Sequence, residues 1–499
     1  MFVDQIYHRI SEVALLNPEK IAIYEGDIEY SYLQFKQGID SCRLQISKLK
    51  SQSELLNKAG LYCDNSFVSH CIIYACALEG ITYVPLSITD PTDRLFTIIN
   101  IANIEIIFFD SIFLKKIESL NLLIENKKLK FVEINAASTD RFLTSKFEDP
   151  SELYILFTSG STGQPKGVSI QHQSVENYLA WAGDYLSVSQ NDKFISHSRI
   201  TFDLSVFNLF LPFVFGSSTV LVRSLSDQSY PGELLKKNVT IALIVPRLTN
   251  LLIQSKQLFK NSFPDLRHVL FCGEQLFAHQ AHAWMSTHSN LILHNIYGPT
   301  ETTVTCTVHT INPSDSVTDP IPIGRAIPNT SIDFLDTNDS VIIDSEYEGE
   351  AMISGIGVSR HDYIGQKSNR FFNHTALGRS FKSGDILYRN SKNILFWRAR
   401  VDFQLKIRGY RVELSEIEIV LMSSKKINDA VCIYNSEKEK LFAFIEADGT
   451  IENIELELRQ ISTDKLPEYM NPAVYILLQQ LPRNQNGKVD RAKLFTLCT

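Results

Sequence analysis

The chain has little that would tie it to a membrane, a nucleic acid or an oxidising compartment. Its eight cysteines, Cys42, Cys63, Cys71, Cys76, Cys272, Cys306, Cys432 and Cys498, include no Cys-x-x-Cys pair, so neither a zinc site nor a disulfide framework is indicated. Reduced thiols of a cytoplasmic protein are the simpler reading. The net charge is −8 and no basic cluster interrupts it, which argues against nucleic acid as a partner. The opening Met-Phe-Val-Asp-Gln-Ile-Tyr-His-Arg lacks the apolar core of a signal peptide. The most apolar stretch, residues 206–222, is broken by Asn208, Pro212, Gly216, Ser217 and Ser218. It is too short and too interrupted for membrane insertion, and reads as a buried helix followed by a strand. No period of about 20–50 residues repeats, so a solenoid is not expected.

What is present is a 499-residue chain, 44% apolar and 21% charged, as in soluble globular proteins. Short apolar runs at 153–157, 241–245, 269–271 and 291–296 end at Gly, Pro or Thr and lead into polar or helical segments. Residues 173–186 have helical spacing after a strand-like 168–170. This is the α/β pattern, with ligand loops at strand ends. Near residues 398–401 the character changes. The junction from Trp397 to Arg411 is densely charged and contains no Pro or Ser linker, so it suits a hinge rather than a tether. Beyond it lies a segment of about a hundred residues, the size of a small α+β domain, with helices expected near 415–424 and 454–466.

Five places carry chemistry. Thr158-Ser-Gly-Ser-Thr-Gly-Gln-Pro-Lys-Gly167 packs hydroxyls, glycines and a cation into one loop, which suits a polyphosphate. It is not a P-loop, because Pro165 precedes Lys166 and Gly167 follows it. In Asn295-Ile-Tyr-Gly-Pro-Thr-Glu-Thr-Thr303, Glu301 reads as an exposed carboxylate among hydroxyls, suited to Mg²⁺ beside phosphates; the plain alternative is a solvated turn. Asp385, after what reads as a Gly384 turn, could accept both ribose hydroxyls, or be an ordinary turn aspartate. Lys488, in Asn484-Gln-Asn-Gly-Lys488, could swing over a reacting carboxylate and phosphate, or be a solvated lysine. Asp203 stands in the otherwise apolar Phe202-Asp203-Leu-Ser-Val206, where it either needs a cation or caps the next helix.

In this order the segments resemble the adenylate-forming superfamily, and most closely the amino-acid adenylation enzymes of nonribosomal peptide synthesis and their free-standing relatives. The likeness also takes in Tyr30-Ser-Tyr-Leu-Gln-Phe35, Leu78-Glu-Gly-Ile-Thr-Tyr-Val-Pro85, Gly349-Glu350, Gly357-Val-Ser-Arg360, Ser383-Gly-Asp385 and Arg400-Val-Asp402. It departs at Ala399, where the family has Gly, and at Arg360-His-Asp-Tyr363, which replaces Arg-Gly-Tyr with one extra residue. Neither departure is expected to touch a catalytic residue.

The resemblance implies an α/β fold, with a large N-terminal adenylate-forming domain of packed sheets and helices (1–398), a hinge (399–402, pivoting at Asp402) and a small mobile α+β C-terminal domain (403–499). It implies ATP and Mg²⁺, activation of an acid as an acyl-adenylate with loss of pyrophosphate, and transfer to a thiol. Thr158, Ser159, Gly160, Ser161, Thr162, Gly163 and Lys166 would hold the leaving phosphates. Glu301, with Thr158, would place Mg²⁺. Tyr297 would stack on adenine beside Gly298 and Thr300. Asp385 and Arg400 would complete the nucleotide site, and Lys488 would bridge carboxylate and α-phosphate. Asp203 matches the position that pairs with an α-ammonium. The side-chain pocket would be Leu204, Phe207, Leu243, Leu270, Cys272, Ile296, Val304 and Thr305, small and uncharged. That lining is similar to L-proline activators first and to D-alanine activators second. No carrier or condensation motif is present, so a separate holo carrier protein is the expected thiol. The competing readings are an acyl- or aryl-CoA ligase, which would not need Asp203, and a non-catalytic nucleotide-binding regulator, which should have lost Lys488 or Glu301.

Overall fold

The computed structural model describes residues 2–498 apart from 52–55, 123–128, 137–151, 161, 223–234, 236, 288, 314, 316–319, 337–339, 343, 403, 408, 425, 437, 448–453 and 484–488. Among the described residues the N-terminal part rests on two large sheets. In one, strands Lys130–Glu133, Ile106–Phe109, Lys58–Tyr62, Thr82–Leu86 and Glu152–Thr158 lie side by side and parallel, and Lys166–Gln171 returns antiparallel at the edge. The other has six parallel neighbours, Ile292–Tyr297, His268–Phe271, Ile241–Ile244, Lys193–Ser196, Ser218–Leu221 and Ile21–Glu25, with antiparallel strands at both margins.

Parallel strands covered on both faces need continuous apolar runs, and Ile241–Ile244 (Ile-Ala-Leu-Ile) is buried throughout. One apolar cluster joins the inner faces of the two sheets through helices Phe2–Leu16, Tyr32–Ser51, Phe67–Leu78, His172–Tyr185 and Ser205–Val214. Each large aliphatic side chain buried there contributes about 1.5–3 kcal/mol. Helices Pro246–Gln254 and Ala278–Met285 cover the outer face of the larger sheet. The stretch 206–222 is the expected buried helix and strand, Ser205–Val214 and Ser218–Leu221. A five-stranded antiparallel sheet over residues 330–400 completes this part and brings Asp385 and Arg400 opposite one another.

Beyond it, hairpin Gln404–Ile407/Tyr410–Glu413, helices Leu414–Leu421 and Ile454–Lys465, and the sheet Asp429–Asn435, Lys440–Glu446, Val474–Leu478 share a core of their own. Both helices fall where the sequence spacing places them. The protein is therefore a mixed α/β fold with a large N-terminal and a small C-terminal domain. Among the described residues no helix is long and apolar enough to cross a membrane.

Candidate active site

The loop 159–165 links antiparallel strands, with Thr158 opposite Lys166, so it is a hairpin connection and not the strand-to-helix turn of a P-loop. Gly160 is obligatory there: a Cβ would stand 2.0 Å from the Gln164 carbonyl oxygen. Thr162 is exposed and Gly163 has φ +78°; Ser161 lies outside the described residues. Lys166 begins the return strand and is buried. Its ammonium is 3.7 Å from Glu413 and 4.5 Å above the Tyr363 ring. Burial first, then the neighbouring Arg411, lowers its pKa to about 8.

Strand Ile292–Tyr297 delivers the second loop, which turns through Gly298 and Pro299 into a 3₁₀ turn, Thr300–Thr302. Glu301 corrects the sequence reading, since it is fully buried rather than exposed. Its Oε2 accepts from Arg411 Nη1 at 2.5 Å and its Oε1 from the Tyr363 hydroxyl at 2.5 Å. Burial alone would raise this carboxyl, but Arg411 and Lys166 hold it down to about 2. The contact with Tyr363 is a second correction, because the segment with the extra residue does reach Glu301. The other departure is benign: Ala399 pairs with Ile386 in an extended strand and does not have a positive φ. Thr303 and Val304 follow with φ +62° and +66°, a backbone strain rare for β-branched residues. That strain turns Val304 to the wall of the cavity described below.

Asp203 is buried and does not cap helix Ser205–Val214, whose N-cap is Leu204 without a side-chain bond. Its Oδ2 accepts from Thr300 Oγ1 at 2.7 Å. Among the described residues no lysine, arginine or histidine forms an ion pair with it, and burial raises its pKa.

Asp385 lies within strand Gly378–Arg389 rather than after a turn; Gly384, at φ +77°, makes an irregularity inside that strand. A Cβ on Gly384 would meet the Arg370 and Arg400 guanidiniums at 2.5 and 2.7 Å. Asp385 accepts from the Tyr297 hydroxyl (2.6 Å), Trp397 Nε1 (2.9 Å) and Arg400 Nη1 (2.9 Å). Asp402 is gripped by Arg400 and Arg370, each at 2.6 Å; burial would raise its carboxyl, yet these two partners lower it to about 2.

A cavity of about 760 Å³ brings Asp203, Tyr297, Gly298, Thr300, Asp385 and Arg400 together. Of the eight expected pocket residues, Leu204, Cys272, Ile296 and Val304 line it, whereas Phe207, Leu243, Leu270 and Thr305 are buried without reaching its surface. The walls are not wholly uncharged, for Glu274, Lys406 and Arg411 also border it.

The C-terminal domain forms one side of this site. Ser159 Oγ donates to the Arg411 carbonyl (2.9 Å) and accepts from Glu413 N–H (3.1 Å). Glu416 accepts from Gly160 N–H (3.2 Å) and pairs with buried Arg94 (2.5 Å). Gly409 N–H donates to Glu274 at 2.6 Å, and Tyr410 packs between Phe202 and Tyr469. Lys488 lies outside the described residues. Val489 pairs with Arg483, and Leu494 and Cys498 pack in the second apolar cluster of this domain, apart from the one that holds Ile407, Val412 and Ile417.

Residues 10–361 match the AMP-binding enzyme family, and residues 416–488 the AMP-binding enzyme C-terminal domain. The chain belongs to the AMP-binding enzymes. It is 28% identical to the D-alanine–D-alanyl carrier protein ligase of Lacticaseibacillus casei (strain BL23) over 99% of both chains. It is 29% identical, over 98% of its length, to a mycosubtilin synthase of Bacillus subtilis, of which it spans only 19%. Its fold matches a Vibrio cholerae adenylation domain, AlmE, in complex with glycyl-adenosine-5'-phosphate, with TM-score 0.84 and 23% identity over 99% and 98% of the two chains.

AMP-binding enzymes of this kind use ATP with Mg²⁺. The phosphate loop fits the nucleotide: Thr158 Oγ1 and two Arg411 nitrogens are buried without protein partners, next to Lys166. The oxygen donors Glu301 and Thr158 have the right chemistry for a hard cation. Both Glu301 oxygens, however, already accept hydrogen bonds here, from Arg411 and Tyr363. Sequence reasoning missed Tyr363, Arg411, Glu413 and Glu416 as site residues. The signal that bears on Arg411 and Glu413 is the charge crowded around Gly409 in Lys406-Ile-Arg-Gly-Tyr-Arg-Val-Glu413.

Proposed function

We propose that this enzyme activates a small apolar amino acid as its aminoacyl-adenylate, releasing pyrophosphate, and passes the acyl group to the phosphopantetheine thiol of a separate carrier protein. The observation that carries the reading is Asp203, a buried carboxylate on the cavity wall that accepts from a hydroxyl and, among the described residues, forms no ion pair, although the charge of Lys406 acts on it across the cavity. The ammonium of an amino acid is the partner it lacks. Leu204, Cys272, Ile296 and Val304 around it favour a short uncharged side chain. Full-length relatives named as D-alanine–D-alanyl carrier protein ligases support alanine as substrate and a carrier protein as acceptor. L-Proline, favoured by the pocket residues read from sequence, is the second substrate reading.

The reacting carboxylate and the α-phosphate are both anions, so the site must neutralise and align them. Lys166 and the N–H and hydroxyl groups of 158–163 take the leaving phosphates, Tyr297 and Asp385 take the nucleoside, and Lys488 spans carboxylate and α-phosphate. Mg²⁺, when bound, supplies charge neutralisation at the phosphates. Asp402 is the hinge about which residues 403–499 turn between the two half-reactions.

ATP–pyrophosphate exchange across D-alanine, L-alanine, L-proline and the other amino acids is the test. Exchange with a small apolar amino acid, followed by loading of a holo carrier protein, is the expected result. Exchange with none of them, alongside thioester formation on coenzyme A from a simple acid, would refute the reading in favour of an acyl-CoA ligase.

A further inference from the structure

We propose that Tyr363 is a positioning residue that keeps the Glu301 carboxylate and the Lys166 ammonium apart, so that Lys166 stays available to the outer phosphates of the nucleotide. Its hydroxyl holds one charge and its ring face holds the other. The proposal rests on the reading above that gives those phosphates to Lys166, and it names the residue that prepares that lysine.

Four observations carry it. First, Tyr363 touches both groups: its hydroxyl donates to Glu301 Oε1 at 2.5 Å, and the Lys166 ammonium lies 4.5 Å above its ring. Second, the two charges are close enough for each to act on the other, yet the ion pairs they form are with Arg411 and Glu413 and not with one another. Opposite charges buried in a medium of low dielectric attract strongly, so something between them must hold them apart. Third, the backbone fixes Tyr363 in that place. Ile364 N–H donates to the Gly167 carbonyl at 2.8 Å, and its own carbonyl accepts from Gly167 N–H at 2.9 Å, which pins Tyr363 beside Lys166. Ser359 N–H donates to the Glu301 carbonyl at 2.9 Å, and the Gly357 carbonyl accepts from Thr303 Oγ1 at 2.7 Å. The segment 357–364 is thus a strap across strand Lys166–Gln171 and the turn Thr300–Thr302, and its tyrosine falls where the two meet. Fourth, the ring is buried and packs edge-on against Phe371, with centroids 5.0 Å apart.

The physical gain is a lysine that is held but not neutralised. A direct pair with Glu301 would have to be broken before a phosphate could bind, and breaking a buried pair is costly. A cation–π contact keeps the ammonium in place at a smaller cost. Glu413, the carboxylate that does approach Lys166, stands at 3.7 Å, beyond hydrogen-bond length. The strap also absorbs the extra residue of Arg360-His-Asp-Tyr363 on its outer side. There the exposed Asp362 pairs with Arg379 at 3.1 Å, and the exposed His361 lies 3.4 Å from Glu152.

The test uses the full chain in EDTA, with ATP and AMP binding measured by calorimetry and folding by circular dichroism. AMP lacks the phosphates given to Lys166 and is the internal control. Tyr363→Leu should weaken ATP binding about tenfold, the worth of one charged contact, and leave AMP within about twofold. Tyr363→Phe keeps the ring and should weaken ATP less. The deciding comparison adds Glu301→Gln. If Tyr363 acts by holding Glu301 off Lys166, removing that charge should tighten ATP about fivefold more on top of Tyr363→Leu than by itself, as coupled neighbours do. Gains that match within about twofold, as for independent sites, would overturn the proposal, because a residue that only supports the fold is not rescued by removing a charge. Equal losses of ATP and AMP affinity in Tyr363→Leu would overturn it too. If Tyr363→Leu does not fold, the same comparison on Tyr363→Phe decides. Absence of pyrophosphate exchange with every amino acid would overturn the activity reading, whereas the ATP isotherms would still judge Tyr363.

Discussion

Asp203→Asn separates recognition from folding. Asparagine has nearly the same volume and can keep the contact with Thr300, so the change removes one charge and little else. An ammonium about 4 Å from the carboxylate gains about 4 kcal/mol at an effective dielectric near 20. The amide still accepts a hydrogen bond worth about 1 kcal/mol. The net loss is about 3 kcal/mol, or roughly a hundredfold in kcat/KM for the amino acid. Stability should move the other way. Burial raises the Asp203 pKa, so the carboxyl favours folding below its ordinary unfolded value, and that contribution is lost as pH rises through the folded value. At neutral pH the wild type therefore carries the cost of a buried charge without an ion pair, which Thr300 and Lys406 offset only in part, and the variant does not. We expect a Tm equal to or above wild type at pH 7 by scanning fluorimetry, with pyrophosphate exchange lowered mainly through KM for the amino acid. Exchange unchanged within about twofold would refute the assignment, because the lost charge term alone is far larger. A lowered Tm would refute the electrostatic account.

Three further outcomes follow from the same geometry. Lys488→Ala should cut pyrophosphate exchange by roughly a hundredfold or more, the usual size of a lost transition-state contact, with an unchanged melting profile; normal exchange would remove Lys488 from the mechanism. Asp402→Pro should slow acyl transfer more than exchange, with Asp402→Ala as the control for losing the Arg370 and Arg400 pairs; equal loss in both half-reactions would count against a hinge there. Lys166, lowered to about 8 by burial, should lose its charge as pH passes that value, so KM for ATP should rise between about pH 7 and 9.5; a flat profile would show that ATP does not depend on the charge of Lys166, or that the free enzyme keeps it charged over that range.

Much of the site is legible in the sequence because its parts are local. The loop at 158–167 is a contiguous string of donors, and Asp203 is conspicuous as the one charge in an apolar run. The apolar strands and amphipathic helices likewise declare themselves within a few residues, since periodicity is a short-range property. Three expectations fail for one reason. Hydroxylic neighbours make Glu301 look exposed, yet its burial depends on Arg411, 110 positions away. Ser-Gly-Asp favours a turn before Asp385, yet pairing with strands on both sides keeps it extended. Phe207, Leu243, Leu270 and Thr305 suit a pocket wall by residue type, but the sheet's depth leaves them behind it.

The sequence by itself determined the mixed α/β class and the change of character near residue 400, because each follows from residue type and spacing along a short stretch. Only the tertiary structure decided how the charges of the site are balanced. Packing the C-terminal hairpin against the phosphate loop sets Arg411 on Glu301, Glu413 beside Lys166 and Glu416 on Gly160. A buried charge must find its counter-charge wherever the fold brings one near, and no local pattern specifies that partner.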